Sequence, residues 1–273
     1  MIYKKILKSV TVLFIALILQ SCKKQEVSNN TFSMPRENSA NTTASQTTTS
    51  FDYLPTSTTN QVIKHEFYTL SYSEEFEQAE WVAYKLDVKM ISRNHFERPF
   101  FIEDKLVKTQ SADWRNYKKS GYDKGHLCPA GDMKFSKKAF DDTFFTSNIS
   151  PQIHDFNDGV WNRLENKTRY WAQKYQSIYI ITGGILKNGL RRIGRENVAV
   201  PEAFYKILLR NDNGNYKIIA FLVPSEESEK PLYDFVITTD ELEKMTGVNF
   251  YPNLPDNIEN QLEKNAEYKD WSF

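Results

Sequence analysis

An α+β fold, with a mixed central β-sheet and flanking helices, is predicted by three features of this 273-residue chain. Residues 66–72 alternate polar and apolar side chains at period two, as a strand with one face in a core requires, and residues 80–86 do so more loosely. Residues 178–182, ahead of Gly183 and Gly184, and residues 217–223 are nearly continuous apolar runs that read as deeply buried strands. Residues 157–175 lack Gly and Pro after Gly159 and space Trp161, Leu164, Thr168 and Trp171 at helical intervals, which predicts the longest helix. A second helix is expected to start near Thr239 and Asp240, where capping and acidic residues precede Leu242.

The elements before this domain are of another kind. Lys4, Lys5 and Lys8 precede ten residues, 10–19, that are apolar except for Thr11. At ~1.5 Å per residue such a run spans about half of a ~30 Å hydrocarbon core, so residues 1–22 read as an export signal rather than a membrane-spanning helix. The sequence Leu19-Gln20-Ser21-Cys22 resembles the bacterial lipoprotein signal. That resemblance implies cleavage before Cys22, lipid attachment to it, and an anchor in a bacterial membrane, the outer one, on its periplasmic or surface face. The alternative is a plain secretory signal with an incidental cysteine. Residues 23–60, dominated by Ser, Thr, Asn and Gln, bury too little apolar surface to offset their ordering entropy and are expected to be a disordered tether. Residues 61–273 remain as one domain.

Composition excludes several classes of function. Thirty-five Lys and Arg balance 35 Asp and Glu, and loss of Lys4, Lys5 and Lys8 with the signal leaves a net charge of −3. A polyanionic partner must therefore meet a local basic patch. Two cysteines, Cys22 and Cys128, exclude a disulfide-stapled scaffold, and a lipidated Cys22 leaves Cys128 without an internal partner. No internal repeat, Walker loop or dinucleotide fingerprint is present.

Reactive side chains concentrate between Gly121 and Asp132, where Asp123, Lys124 and His126 stand among Gly121, Gly125 and Gly131. Further along come Asn148-Ile149-Ser150-Pro151-Gln152 and then Asn157, Trp161, Leu164, Glu165 and Arg169. These residues resemble the DNA/RNA non-specific endonucleases, a family of the ββα-metal (His-Me finger) class. The family's Asp-Arg-Gly-His motif corresponds to Asp123-Lys124-Gly125-His126, its Asn-Ile-Ser/Thr-Pro-Gln run to residues 148–152, and its Asn, Trp and Leu-Glu helix to Asn157, Trp161, Leu164 and Glu165. The likeness extends from about Trp81 to Leu254, including residues 198–201 and 246–250.

The resemblance implies a ββα-metal active-site motif and a division of labour within it. His126 is implied as the general base that deprotonates the attacking water, a task a neutral imidazole performs near neutral pH. Asn157 is implied as the direct protein ligand of one divalent cation, Mg²⁺ or alternatively Mn²⁺, and Glu165 as the organiser of that metal's water shell. On a regular helix Asn157 and Glu165 would lie ~12 Å apart along the axis, which favours contact of Glu165 with the metal through water. Asn148 is implied as a residue that supports the site, and Arg98 and Arg169 as phosphate contacts. Arg169 reads equally as an i,i+4 partner of Glu165. Lys124 replaces the family's arginine, exchanging a planar fork for a point charge that still stabilises a developing phosphate charge. Asp123 reads as a structural residue.

Other signals are weaker. His65, His95 and His154 form no metal-binding spacing and read as bystanders, His154 being the one nearest in sequence to Asn157. Cys128 reads as a small buried hydrophobe. Lys105, Lys108, Arg115, Lys118, Lys119 and Lys124, with Trp114 and Tyr117 among them, form either a solvated loop or a phosphate-tracking approach to the cleft.

The function these readings imply is that of an exported, lipid-anchored, metal-dependent endonuclease. It would cut DNA and RNA through backbone contacts with little sequence preference, leaving 5′-phosphate and 3′-hydroxyl ends, and an inhibitor protein would be a further partner. Two alternatives are a degenerate module that tethers nucleic acid without cutting it, and a phosphodiesterase of small nucleotides.

Overall fold

The computed structural model describes residues 52–273; the expected signal, Cys22 and most of the expected tether lie outside the described residues. Seven strands form one sheet in the order β1 (Val62–Lys64), β2 (Thr69–Ser73), β3 (Gln78–Asp87), β6 (Ser177–Gly184), β9 (Ala203–Asp212), β10 (Asn215–Pro224) and β11 (Val236–Ile237). Between β3 and β6 the chain forms a separate pair, β4 (Asp123–His126) with β5 (Ile149–Gln152), and β7 (Arg192–Ile193) pairs with β8 (Val198–Ala199). The α+β class is as the sequence indicates, but every pairing within the large sheet is antiparallel rather than mixed. One cause is local: Asn213 and Gly214, with φ of 55° and 92°, form the two-residue turn whose twist suits an antiparallel hairpin, so β10 folds straight back on β9.

The sheet is buried on both faces. Val82, Tyr84, Leu86, Ile178, Ile180, Phe204 and Leu208 point into a core with Leu127, Phe156, Trp161, Leu164 and Trp171. Trp81, Ala83, Ile181, Tyr205, Ile207 and Leu209 point the other way, against Leu242, Phe250, Tyr251 and Leu254. This double burial makes β9 an apolar run, yet Lys206 and Arg210 interrupt it and conceal the strand from a reading by pattern.

The packed chain also begins before residue 61. Tyr53 packs tilted against Tyr179 with ring centroids 4.5 Å apart, and the Thr56 backbone N–H donates to the Asn249 carbonyl at 2.9 Å. The carbonyl of Thr56 accepts from the indole of buried Trp81 at 2.8 Å, and Thr58 donates from its backbone to the nearly buried Glu80 carboxylate at 3.0 Å. Polar residues 56–59 are thus ordered by hydrogen bonds exchanged with Ser71 of β2 and with Glu80 and Trp81 of β3, a source of order that composition does not reveal.

Among the helices, α1 (Lys137–Asp142) is capped by Ser136. The expected helix at 157–175 is interrupted: α2 (His154–Phe156) runs into a wide π-type turn at Asn157–Trp161, and α3 (Asn162–Tyr175) follows. Gly159, at φ −91° and ψ −112°, is the point where helical geometry fails. The straight-helix separation of Asn157 from Glu165 therefore does not apply. Helix α4 (Thr239–Thr246) begins where expected, with Thr238 and Glu241 closing a reciprocal cap and Gly247 in the left-handed conformation ending it. Helix α5 (Asp256–Glu263) follows.

Candidate active site

Strands β4 and β5 and the α2–α3 segment bring together the residues singled out in the sequence. In β4, Lys124 and His126 are two apart and so share one face, while Gly125 turns to the other. Gly125 is required there because a Cβ would fall 2.1 Å from the buried Gln152 side chain. This close packing seats β4 against β5, with His126 opposite Ile149 and Asp123 opposite Gln152.

Two aromatic rings set the environment of His126. Its ring lies 5.7 Å from Phe101 and 5.0 Å from Phe144, edge-on to the latter. The Lys124 ammonium sits 5.3 Å above Phe101, and the Arg98 guanidinium 5.5 Å above Phe144. Two candidate residues of β4 and one from the preceding loop, Arg98, thus converge on one aromatic wall. A cavity of about 360 Å³ opens beside it, lined by His95, Phe96, Arg98, His126, Lys134 and Phe140. His95, read as a bystander, faces this cavity. Nε2 of His126 is buried without a hydrogen-bond partner. Burial, together with the Arg98 charge, pushes the pKa of the imidazole down to about 3, so the ring is neutral at neutral pH and its Nε2 is unprotonated.

Asn157 is oriented by Asp123, whose Oδ2 accepts from the Asn157 amide at 3.0 Å and contacts Nδ1 of His154 at 2.9 Å. The structural reading of Asp123 is specific: it grips the start of the helical segment, and the Asn157 amide oxygen is turned away from it. His154 approaches the site through the same carboxylate. His65 does not, being paired with Asp104 at 2.8 Å.

Asn148 is fully buried and works as a clasp on the chain that leaves His126. Its Oδ1 accepts from the backbone of Cys128 at 2.8 Å, and its Nδ2 donates to the carbonyls of Cys128 and Thr143 at 3.0 and 2.9 Å. Asn148→Ala leaves these three groups short of partners and is expected to cost about 3 kcal/mol, read as a fall in the urea midpoint at unchanged m-value. Cys128 is a buried free thiol, as the sequence suggests, and burial raises its pKa well above the ordinary range.

Beneath the site lies a charged group that the sequence did not assemble. Arg169 donates to Asp132 Oδ1 at 2.6 Å and stands 3.9 Å from Glu165 Oε2, so its first partner is Asp132, named by neither reading of Arg169. Asp132 is 1% exposed and also accepts from the Tyr84 hydroxyl at 2.7 Å. From β9 the buried Lys206 acts on both Glu165 and Asp132, with its ammonium bonded to Thr182 Oγ1 at 2.7 Å. Burial raises the pKa of Glu165 to about 7, with Asp132 adding to the rise and Lys206 and Arg169 opposing it.

The donor set fits a hard cation that keeps much of its water. It offers one oriented amide and a half-buried carboxylate, Glu165, that a bound cation would hold ionised. The one cluster of three His, Cys, Asp or Glu ligand atoms among the described residues lies elsewhere, on α4 and α5.

The basic stretch divides in space. Arg115, Lys118 and Lys119 line a cavity of about 770 Å³ together with Arg191, Arg192 and Arg195, a second cationic group some 70 residues downstream. Arg191 also stacks 5.5 Å from the ring of Tyr122, next to β4.

Comparison with known proteins agrees with this geometry. The family model for DNA/RNA non-specific endonuclease matches residues 45–257. Human mitochondrial Endonuclease G is 31% identical over 209 residues, covering 71% of this chain and 70% of that protein. Nuclease C1 of Cunninghamella echinulata var. echinulata is 31% identical over 220 residues, covering 72% of this chain and 85% of its own length. The crystal structure of an EndoG/EndoGI complex matches at a TM-score of 0.67 and 27% identity, covering 71% of this chain and 87% of the matched one. With β4, β5 and the α2–α3 segment forming a ββα unit around His126 and Asn157, and sequence likeness running through most of the folded chain, the protein belongs to the DNA/RNA non-specific endonuclease family.

Proposed function

We propose that the protein is a metal-dependent endonuclease that hydrolyses phosphodiester bonds of both DNA and RNA. The observation that carries this reading is the neutral, unpartnered Nε2 of His126 beside a cavity shared with Arg98, on the strand that also presents Lys124. His126 takes the proton of the attacking water, while Arg98 and Lys124 hold phosphate oxygens against the aromatic wall. Asn157, oriented by Asp123, and Glu165, through water, would hold Mg²⁺, with Mn²⁺ as the alternative. Bound there, the cation supplies Lewis-acid stabilisation of the charge that develops on the phosphate and the leaving 3′-oxygen. Backbone contacts do not sense the 2′-position, which supports indifference between DNA and RNA. The two basic groups lining the larger cavity suit the path of a longer polyanion.

The sequence at residues 1–22 supports export and a lipid anchor at Cys22 in an outer membrane. The match to an endonuclease solved with its inhibitor supports an inhibitor protein as a partner. The test is incubation of the purified protein with supercoiled plasmid and structured RNA, with Mg²⁺ or with chelator. Metal-dependent cutting of both is expected, and intact substrates at high protein concentration with ample Mg²⁺ or Mn²⁺ would overturn the reading.

The elevated pKa of Glu165 sets the pH response. Below about 7 the carboxyl is protonated and cannot order a cation's water, so kcat/KM should rise through neutrality and level off above it. Because a proton and a cation compete for this environment, raising Mg²⁺ should move the acid limb to lower pH. A limb indifferent to Mg²⁺ would detach Glu165 from the metal.

A further inference from the structure

On the opposite face of the sheet, α4 and α5 bring acidic residues together over the core of Trp81, Tyr205 and Phe250. Asp240 and Glu243, three apart on α4, share a face of that helix, and Glu263 reaches them from the end of α5. One oxygen from each of the three carboxylates lies within 4.8 Å of the others. Glu263 is 7% exposed; its Oε1 is buried and receives no N–H or O–H from the backbone or from a neutral or cationic side chain, and its carboxyl lies within hydrogen-bonding reach of Glu243 alone. Glu243 Oε1 accepts from the backbone of Phe250 at 2.9 Å, and neighbouring Glu259 accepts from the Asn249 side chain at 3.0 Å. The largest charged influences on Glu243 and Glu263 come from neighbouring carboxylates, Asp240 and Glu259 among them.

We propose that Asp240, Glu243 and Glu263 form a binding site for calcium, or a like-sized hard divalent cation, that ties α5 to α4. Oxygens that all lie within 4.8 Å of one another can close on a common cation at Ca–O distances of ~2.3–2.6 Å with small side-chain movements, and the flexible coordination of calcium suits three carboxylates better than the strict, water-retaining octahedron of Mg²⁺. A cation placed there partners the buried Glu263 oxygen and neutralises the mutual repulsion of the carboxylates. The alternative is a proton shared between Glu243 and Glu263, since burial and the neighbouring carboxylates raise the pKa of both. A proton serves two of the three groups; a cation serves all three. The site is separated by the sheet from His126 and Asn157, so its effect is on the stability of the C-terminal helices rather than on the chemistry.

The test uses the full-length protein, stripped of metals, at pH 7.5, with terbium(III) excited through tyrosine; Tyr251 is buried and feels the charge of Glu263. In an Asn157→Ala background, which removes the cleft's own cation site, saturable luminescence displaced by Ca²⁺ is expected, at least tenfold weaker in affinity when Glu263→Gln or the half-exposed Asp240→Asn is added. At 1 mM Ca²⁺ the unfolding temperature should rise by roughly 3–6 °C in the wild type and by less than a third of that in the two variants. Luminescence and Ca²⁺ stabilisation that persist in both variants would overturn the proposal. So would a wild type indifferent to Ca²⁺ whose Glu263→Gln variant is more stable, the signature of the shared proton.

Discussion

His126→Ala is expected to lower plasmid and RNA cleavage by about 10²–10⁴-fold, the usual contribution of a positioned general base and equivalent to roughly 3–5 kcal/mol of transition-state stabilisation. The expectation rests on the state of the ring. Its Nε2 is buried without a partner, and burial and Arg98 keep the ring neutral at neutral pH, so the nitrogen is unprotonated; the same two causes make it a weaker base than a free imidazole, not a stronger one. The same isolation makes the variant interpretable. Truncation removes ring contacts with Phe101 and Phe144 but breaks no hydrogen bond of that nitrogen, so the fold should lose only about 1 kcal/mol. Cleavage measured below the unfolding transition therefore reports chemistry. Imidazole added at high concentration should restore part of the rate, since the vacated volume adjoins the cavity lined by Arg98 and Phe140. A variant that cuts within tenfold of the wild type would remove His126 from the mechanism.

How much of this site could be read from the sequence follows from where its determinants lie. Lys124 and His126 are two apart on one strand, and Asn148 and Asn157 stand near the next strand and helix, so local spacing presents them as a group. Asp132 stood in the same run of reactive residues, but its role depends on Arg169 and Tyr84, which are 37 and 48 positions away. Lys206 was hidden further, because a lysine within an apolar run reads as an interruption, whereas here it is the buried counter-charge to Glu165. The α+β class was legible from periodicity, but the antiparallel order of the sheet was not. Asn213-Gly214 is a turn-forming pair, as is Asn188-Gly189, and it gains meaning as a hairpin only once β9 is recognised beside it. Gly159 was visible as a residue, but its break in the helix was not, since isolated glycines are tolerated in helices at a cost of ~1 kcal/mol.

Arg169→Ala is expected to destabilise the protein by about 3–5 kcal/mol, a cost set by what it leaves behind. Asp132 is 1% exposed, and without the guanidinium its carboxylate keeps only the Tyr84 hydroxyl as a direct partner. Lys206 still acts through space, which places the loss toward the lower end of that range. Gly131 lies against the guanidinium, so close that a Cβ there would come 3.0 Å from Nη1. Removing both partners should cost less than the sum of the single substitutions, because the double variant Asp132→Ala/Arg169→Ala buries no orphan charge; a coupling of at least about 1.5 kcal/mol in denaturant melts is the expected result. The phosphate-contact reading of Arg169 predicts otherwise: a KM raised several-fold, a salt dependence of binding reduced by about one phosphate contact, and stability nearly unchanged. Since the guanidinium is engaged by Asp132 at 2.6 Å and steadied by Asn166 at 3.0 Å, stability is where the loss should appear, with activity at low temperature falling less than in His126→Ala.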